Sequence, residues 1–112
     1  MLHSFKFALR GIAKAFTTER NMRLHGVAVL FVVGAGFYFN ISPLEWIALI
    51  FCCGIVLCAE IINTAIEEIV NFISPEKNKK AALIKDLSAG AVLITAIMAL
   101  VIAGVVFIPK IL

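Results

Sequence analysis

Charge is scarce in this chain of 112 residues: 15% are charged, 62% are hydrophobic, and the mean hydropathy is +1.07. Soluble domains have about 25% charged and about 45–50% apolar residues, so the composition excludes an ordinary soluble domain and predicts a membrane protein. A membrane-spanning helix requires around 20 apolar residues. The length therefore allows one domain, residues 1–112, with about three spans.

Sequence motifs of soluble nucleotide-binding folds are also missing. The chain has no GxxxxGK[ST] loop, and GAG at 34–36 lies in an apolar segment without the third glycine of a dinucleotide fingerprint. His3 and His25 have no partner at metal-ligand spacing, and the three cysteines share one apolar segment, where we expect small core residues. A soluble nucleotide-binding domain is excluded, and no nucleic-acid partner is expected.

What is present is a series of apolar helices separated by polar breaks. SFKFALRGIAKAF at 4–16 places apolar residues at helical period beside cations spaced four apart, which predicts a basic amphipathic helix at the membrane interface. A solvated helix is the alternative. The breaks are NISP at 40–43 and SPEKNKK at 74–80, and Pro109 is expected to end the last helix. We predict an all-α membrane protein with a surface helix at 4–20 and membrane-spanning helices at 24–40, 44–73 and 81–109.

Basic residues are distributed unevenly around the predicted spans. They precede the first span and follow the second, whereas the connection at 40–45 has none. The positive-inside rule then predicts a cytoplasmic N-terminus and a cytoplasmic 74–85 loop. Three helices bury little surface against one another, so we also expect a homo-oligomer.

Acidic residues at the end of the second span are the first candidates for chemistry. Glu60, Asn63, Thr64 and Glu67 are spaced to lie on one stripe of a helix. An ionisable side chain at membrane depth is costly unless it faces protein, water or a cation, so Glu60 is a functional candidate. The alternative for Glu67 and Glu68 is that they only cap an emerging helix, which we favour for Glu68.

A second group of polar residues is expected on the same cytoplasmic side. Glu19 precedes the first span and could share a divalent cation with Glu67, although TER before an apolar helix can also be a simple helix start. Lys85 and Asp86 lie at the start of the third span, where Lys85 either binds phosphate or anchors the helix at the interface. This clustering favours a lipid-headgroup enzyme over the alternative, a small oligomeric transporter with Glu60 as a relay.

Three motifs resemble one known family. AEIINTAIEEIV at 59–70 resembles the E-[IL]-[IL]-N-[ST]-A-I-E signature of the prokaryotic diacylglycerol kinase family, and KDLSAGAVLI at 85–94 resembles its K-D-x-x-[AS]-[AG]-A-V segment. The resemblance extends to TERNMRLHGVAVL at 18–30 and so covers most of the chain. It implies a homotrimer in the bacterial inner membrane with active sites shared between subunits. The implied reaction is phosphorylation of a lipid alcohol by ATP with Mg²⁺.

The resemblance also implies roles for individual residues. Glu60 matches the catalytic base, and Glu19 and Glu67 match the carboxylates that hold the Mg²⁺ of the nucleotide. Asn71 departs from the Asp common at its position, which we treat as peripheral because Asn71 is taken to lie off the Glu60 stripe. The remaining implied residues are Glu76, Lys77, Asn78, Lys85 and Asp86 for the nucleotide, and Arg23, Asn63 and Ala89, together with Glu60, for the lipid.

Within the family, the sequence is more similar to one of two branches. TERN followed by His25, AGAVL and the FIPK tail resemble the undecaprenol kinase branch. The diacylglycerol kinase branch typically has a second acid at the position of His25 and a Ser at that of Ala89. A polyprenol acceptor is therefore expected, with diacylglycerol as the alternative.

Overall fold

The computed structural model describes all 112 residues. The chain forms four α-helices and no strand. The first helix, α1, spans Leu2–Thr18, and α2 spans Arg20–Tyr38. The long helices α3, Pro43–Ile73, and α4, Lys79–Ile111, follow. The last three are long and apolar enough to cross a membrane, so the prediction of an all-α membrane protein with three spans is confirmed.

Helices α2 and α4 begin before the predicted bounds because polar residues extend them, whereas α1 ends at Thr18, two residues before its predicted end. Asn78 caps α4 by accepting a hydrogen bond from the Ala81 N–H at 2.8 Å, so the helix begins at Lys79. Helix α2 begins at Arg20, four residues before the predicted span, because helical structure continues into the polar residues that precede the apolar run. Hydropathy therefore located the apolar part of each helix rather than its ends.

The expectation that Pro109 ends the last helix was wrong. Proline lacks one backbone donor, which interrupts the hydrogen-bond ladder at a single position. The ladder resumes at once, since the Leu112 N–H donates to the Ile108 carbonyl at 3.1 Å. Lys110 Nζ also lies 2.8 Å from Glu45 Oε2, which ties the last turn of α4 to the first turn of α3.

Helix α3 has a strong start signal that determines where the turn ends. Ser42 Oγ accepts from the Glu45 N–H at 3.2 Å, while Glu45 Oε1 accepts from the Ser42 N–H at 2.9 Å. This capping box and Pro43 in the first turn fix the beginning of the helix. Asn40, with a φ of 51°, supplies the left-handed residue that reverses the chain after α2.

The chain has a small apolar core near the turn between α2 and α3. It consists of Ile41, Leu49, Cys52 and Val106, with Trp46 packed beside it. Cys52 is buried, but Cys58 is exposed, so the expectation that all three cysteines are core residues was wrong for Cys58. Only 12 of 112 residues are buried in the single chain, and most large apolar side chains are left to contact lipid or other protein.

Trp46 packs against α2 at a position where only glycine leaves room. A Cβ atom on Gly36 would lie 2.5 Å from Trp46 Cη2, whereas a Cβ on Gly34, on the same helix, would have nothing within 4 Å. Close approach at Gly36 is therefore what allows the indole to fill the space between α2 and α3.

We expect Gly36→Ala to lower the stability of the folded protein by about 1–2 kcal/mol, because overpacking exceeds the gain in helix propensity. Gly34→Ala is the matched control and should be neutral or stabilising, since the same propensity gain comes without a clash. Thermal unfolding of both variants in detergent measures the difference. A Gly36→Ala protein as stable as the Gly34→Ala protein would contradict the packing argument.

Candidate active site

The acidic stripe of α3 lies on the side of that helix that faces the other helices. Glu60 is 2% exposed and Asn63 is 8% exposed, while Glu67 is half-buried and Glu68 is exposed. The gradient follows the helix from its middle toward its end at Ile73. The stripe therefore extends from an enclosed carboxylate to one that is accessible.

Glu60 has a polar neighbour on a different helix. His25 Nε2 of α2 lies 3.6 Å from Glu60 Oε2, and the His25 side chain is 24% exposed. Because α2 packs on α3, two residues 35 positions apart meet at the same depth. The imidazole is close enough to restrict the orientation of the carboxylate.

An apolar cavity of about 250 Å³ extends from His25 between the spanning helices. Its walls are apolar side chains of α2, α3 and α4, including Val29, Leu49, Val56 and Ala99. The His25–Glu60 pair thus stands at the polar end of an apolar space. Such a site suits a molecule with a hydroxyl at the end of a hydrocarbon chain.

Asn63 connects the buried and the accessible parts of the stripe. Its Nδ2 donates to Glu67 Oε1 at 3.2 Å, and its Oδ1 accepts from Ser88 Oγ of α4 at 2.6 Å. Thr64, predicted to be on the same stripe, instead donates its hydroxyl to the Glu60 carbonyl of its own helix at 3.0 Å. Asn63 therefore links α3 to α4 in the buried part of the stripe.

Glu19 is the one residue between α1 and α2 and has extended backbone angles, φ −107° and ψ 117°. Arg23 holds this joint, because its Nη1 donates to the carbonyls of Phe16 and Thr17 at 3.0 and 3.1 Å and so satisfies the end of α1. The position of Glu19 is thus fixed by the helix break.

A second cavity, also of about 250 Å³, is polar and lies at the α3–α4 loop. Ser74 and Asn78 order the loop, because Asn78 Nδ2 donates to Ser74 Oγ at 2.6 Å. Asp86 and Ala89 are exposed in the single chain and do not line this cavity. The residues that do line it include four of the predicted nucleotide residues, Glu76, Lys77, Asn78 and Lys85, together with Asn71.

The treatment of Asn71 as a residue off the Glu60 stripe was wrong. Eleven residues separate it from Glu60, which is close to three turns of about 3.6 residues each, so the two share a face. Lys85 Nζ donates to Asn71 Oδ1 at 2.6 Å. Asn71 therefore holds the lysine that was expected to bind phosphate or to anchor the helix.

Similarity to known proteins agrees with this arrangement. The family model described as prokaryotic diacylglycerol kinase matches residues 6–107. The chain belongs to this family. As a member of the prokaryotic diacylglycerol kinase family, it is a lipid kinase and a multi-pass membrane protein.

The relatives in the family are named either undecaprenol kinase or diacylglycerol kinase. The chain is 36% identical to the undecaprenol kinase of Bacillus subtilis, over 96% of this chain and 87% of that protein. It is 32% identical to the diacylglycerol kinase of Synechocystis, over 100% of this chain and 65% of that protein. It is also 32% identical to the diacylglycerol kinase of Escherichia coli K12, over 85% of this chain and 78% of that protein.

A nucleotide-associated metal ion is expected for a kinase of this family, and the carboxylates present fit one. No group of three or more metal-ligating side chains occurs in the chain. Mg²⁺ commonly binds proteins through one or two carboxylates, with phosphate oxygens and water completing its shell. Glu67 and Glu19 supply hard oxygen donors of this kind, so the set fits an ion that arrives with a nucleotide better than one held in a protein cage.

Sequence reasoning missed His25 as a neighbour of Glu60. Helical periodicity predicts which residues share a face of one helix, but it does not predict which residue of a neighbouring helix faces them. A signal was nevertheless present, because the family resemblance already singled out position 25 as one where the two branches differ.

We expect His25→Leu to lower the turnover of lipid phosphorylation by about 3- to 10-fold, because the Glu60 carboxylate loses the polar neighbour 3.6 Å away that restricts its orientation. His3→Leu is the control, since His3 is an exposed histidine on α1. Steady-state kinetics of both variants measure the effect. Equal rates for the two would show that His25 does not orient Glu60.

Proposed function

We propose that the protein transfers the γ-phosphate of ATP to the hydroxyl of undecaprenol at the cytoplasmic face of the membrane. The observation that carries the proposal is the order of environments along α3. An apolar cavity leads to the His25–Glu60 pair, Glu67 follows toward the end of α3, and the polar cavity at Asn71 and Lys85 comes last. From Glu60 to Asn71 the helix rises about 16 Å. The lipid alcohol therefore approaches from the membrane, and ATP approaches from water.

We assign to Glu60 the role of general base for the acceptor hydroxyl. The carboxylate is buried beside an apolar cavity and has His25 as its polar neighbour. In the proposed reaction, a lipid hydroxyl enters between these side chains, Glu60 takes its proton, and the oxygen attacks the γ-phosphorus in line with the departing ADP. Exclusion of bulk water from this site limits hydrolysis of ATP.

The nucleotide is assigned to the polar side of the stripe. Lys85 supplies a positive charge for the phosphates, and Glu76, Lys77 and Asn78 of the ordered loop surround the same cavity. Asp86 is the remaining proposed nucleotide contact. Glu19 and Glu67 would hold Mg²⁺, which neutralises phosphate charge when it is bound. Alignment of the two reactants is expected to supply most of the acceleration.

Undecaprenol is proposed over diacylglycerol on two grounds. The Bacillus subtilis relative named undecaprenol kinase matches 96% of the chain, and the branch-specific positions His25 and Ala89 have the residues typical of that branch. Arg23, Asn63 and Ala89 remain proposed lipid-side residues alongside Glu60. Because only a tenth of the chain is buried, we also propose that the working unit is a homotrimer, with its N-terminus in the cytoplasm of a bacterial cell and its spans in the inner membrane.

The acceptor is tested by a phosphotransfer assay with ATP, Mg²⁺ and either lipid in mixed micelles. Undecaprenol is expected to be phosphorylated at least tenfold more efficiently than diacylglycerol, since one mismatched contact already changes the barrier by about 1.4 kcal/mol. A preference for diacylglycerol would overturn the acceptor assignment alone. If neither lipid is phosphorylated and proteoliposomes conduct protons or cations, the transporter alternative is favoured.

We expect Glu60→Gln to reduce turnover by at least about 100-fold, because an amide cannot accept the hydroxyl proton at neutral pH. Glu68→Gln is the matched control: it is the same change on an exposed residue of the same helix and should retain near-normal activity. Size-exclusion profiles of both variants check that they assemble. Normal turnover in Glu60→Gln would remove Glu60 from the role of base.

A further inference from the structure

We propose that Ser88 is a positioning residue for the carboxylate of Glu67, through the side-chain amide of Asn63. Ser88 Oγ donates to Asn63 Oδ1 at 2.6 Å, and Asn63 Nδ2 donates to Glu67 Oε1 at 3.2 Å. The three side chains form a continuous chain of hydrogen bonds from α4 to the accessible end of the acidic stripe. The inference deepens the proposed function and rests on it, since it assigns a partner to a proposed metal-binding carboxylate.

The chemistry of the three groups fixes the direction of these hydrogen bonds. An ionised carboxylate only accepts, so the amide must present its NH₂ end to Glu67 and its oxygen to Ser88. The serine hydroxyl can rotate to donate to that oxygen. With this hydroxyl in place, the Asn63 amide has one favourable orientation, which holds Glu67 Oε1. Glu67 Oε2 accepts no hydrogen bond within the chain.

Burial makes the orientation costly to change. Ser88 and Asn63 are each 8% exposed, and the hydrogen bond between them is buried. If the hydroxyl is removed, the amide oxygen loses its partner in a place that water reaches poorly, and the amide gains freedom to rotate. Groups that orient a metal-binding side chain commonly change metal affinity by about 10- to 100-fold when they are removed.

Because Ser88 lies on α4, its hydrogen bond to Asn63 also connects α4 to α3. The other side-chain hydrogen bonds between α3 and α4, Lys85 to Asn71 and Lys110 to Glu45, are exposed. Lys85 and Ser88 are three residues apart on the same face of α4. The face that holds the proposed phosphate-binding lysine thus also orients the proposed metal-binding carboxylate.

Binding of Mn²⁺ tests the inference without relying on turnover, since Mn²⁺ favours the same oxygen ligands as Mg²⁺. Free Mn²⁺ is measured by electron paramagnetic resonance in the presence of a non-hydrolysable ATP analogue and the detergent-solubilised protein. Ser88→Ala is expected to weaken Mn²⁺ binding by about tenfold, and Ser88→Thr, which keeps the hydroxyl, is expected to restore it. The Mg²⁺ concentration for half-maximal activity should rise in parallel.

The control is Thr95→Val, which removes a part-buried hydroxyl of the same helix that is bonded only to the Val92 carbonyl at 2.7 Å. A purely structural role for Ser88 predicts that both variants unfold at lower temperature and that neither changes Mn²⁺ affinity. That result would overturn the inference. If Ser88→Ala does not assemble, Ser88→Cys takes its place: its weak S–H donor should give a several-fold loss of affinity, and wild-type affinity would also overturn the inference.

The outcomes also separate this inference from the proposed function. If the wild type phosphorylates lipid and Ser88→Ala binds Mn²⁺ normally, the inference alone fails. If the wild type binds Mn²⁺ with the nucleotide analogue but phosphorylates neither lipid, a Ser88→Ala loss of affinity supports the inference while the proposed acceptor reaction fails. Absence of any nucleotide-dependent Mn²⁺ binding in the wild type would overturn both.

Discussion

Everything else in this fold depends on keeping a carboxylate inside an apolar helix. Glu60 is almost completely enclosed, and an isolated charge in such a place is costly. The protein meets this constraint with a neighbouring imidazole from α2 and with a polar stripe that continues toward the end of α3. The close contact between α2 and α3, including the packing of Trp46 over Gly36, is what brings His25 to the necessary depth.

Polar side chains between α3 and α4 hold these two helices together in addition to the apolar packing. Near the α2–α3 turn α3 and α4 are joined by apolar packing around Leu49 and Val106 and by the exposed contact of Lys110 with Glu45. Toward the α3–α4 loop they are joined by hydrogen bonds, one of them buried. This division matters because apolar packing resists separation of the helices but leaves them free to rotate slightly, whereas directional hydrogen bonds do not. The part of the helix pair that bears the proposed reaction is the part with a buried directional contact, from Ser88 to Asn63.

Much of this architecture could be predicted from the sequence, and the failures have physical reasons. Composition and hydropathy predicted the three spans, and the motifs predicted the family. The spacing of Glu60 and Glu67 placed both acids on one stripe. Helix bounds were predicted wrongly where polar residues such as Arg20 and Asn78 extend a helix. Asn71 was assigned to the wrong face, because its spacing of eleven residues from Glu60 makes close to three whole turns. The partners His25 and Ser88 could not be predicted from periodicity, because they lie on other helices and their pairing depends on how the helices are rotated.

The single extended residue at position 19 has a mechanical consequence. Helix α1 is about 25 Å long, and its last turn is held at α2 by the Arg23 hydrogen bonds and by Phe16, which lies against Gly26. A rigid rod attached at one end moves most at its free tip and least at its pivot. On the prediction that α1 lies at the membrane surface, motion of its free tip displaces the end at Glu19 least, so the proposed metal-binding residue lies at the steadiest point of the helix.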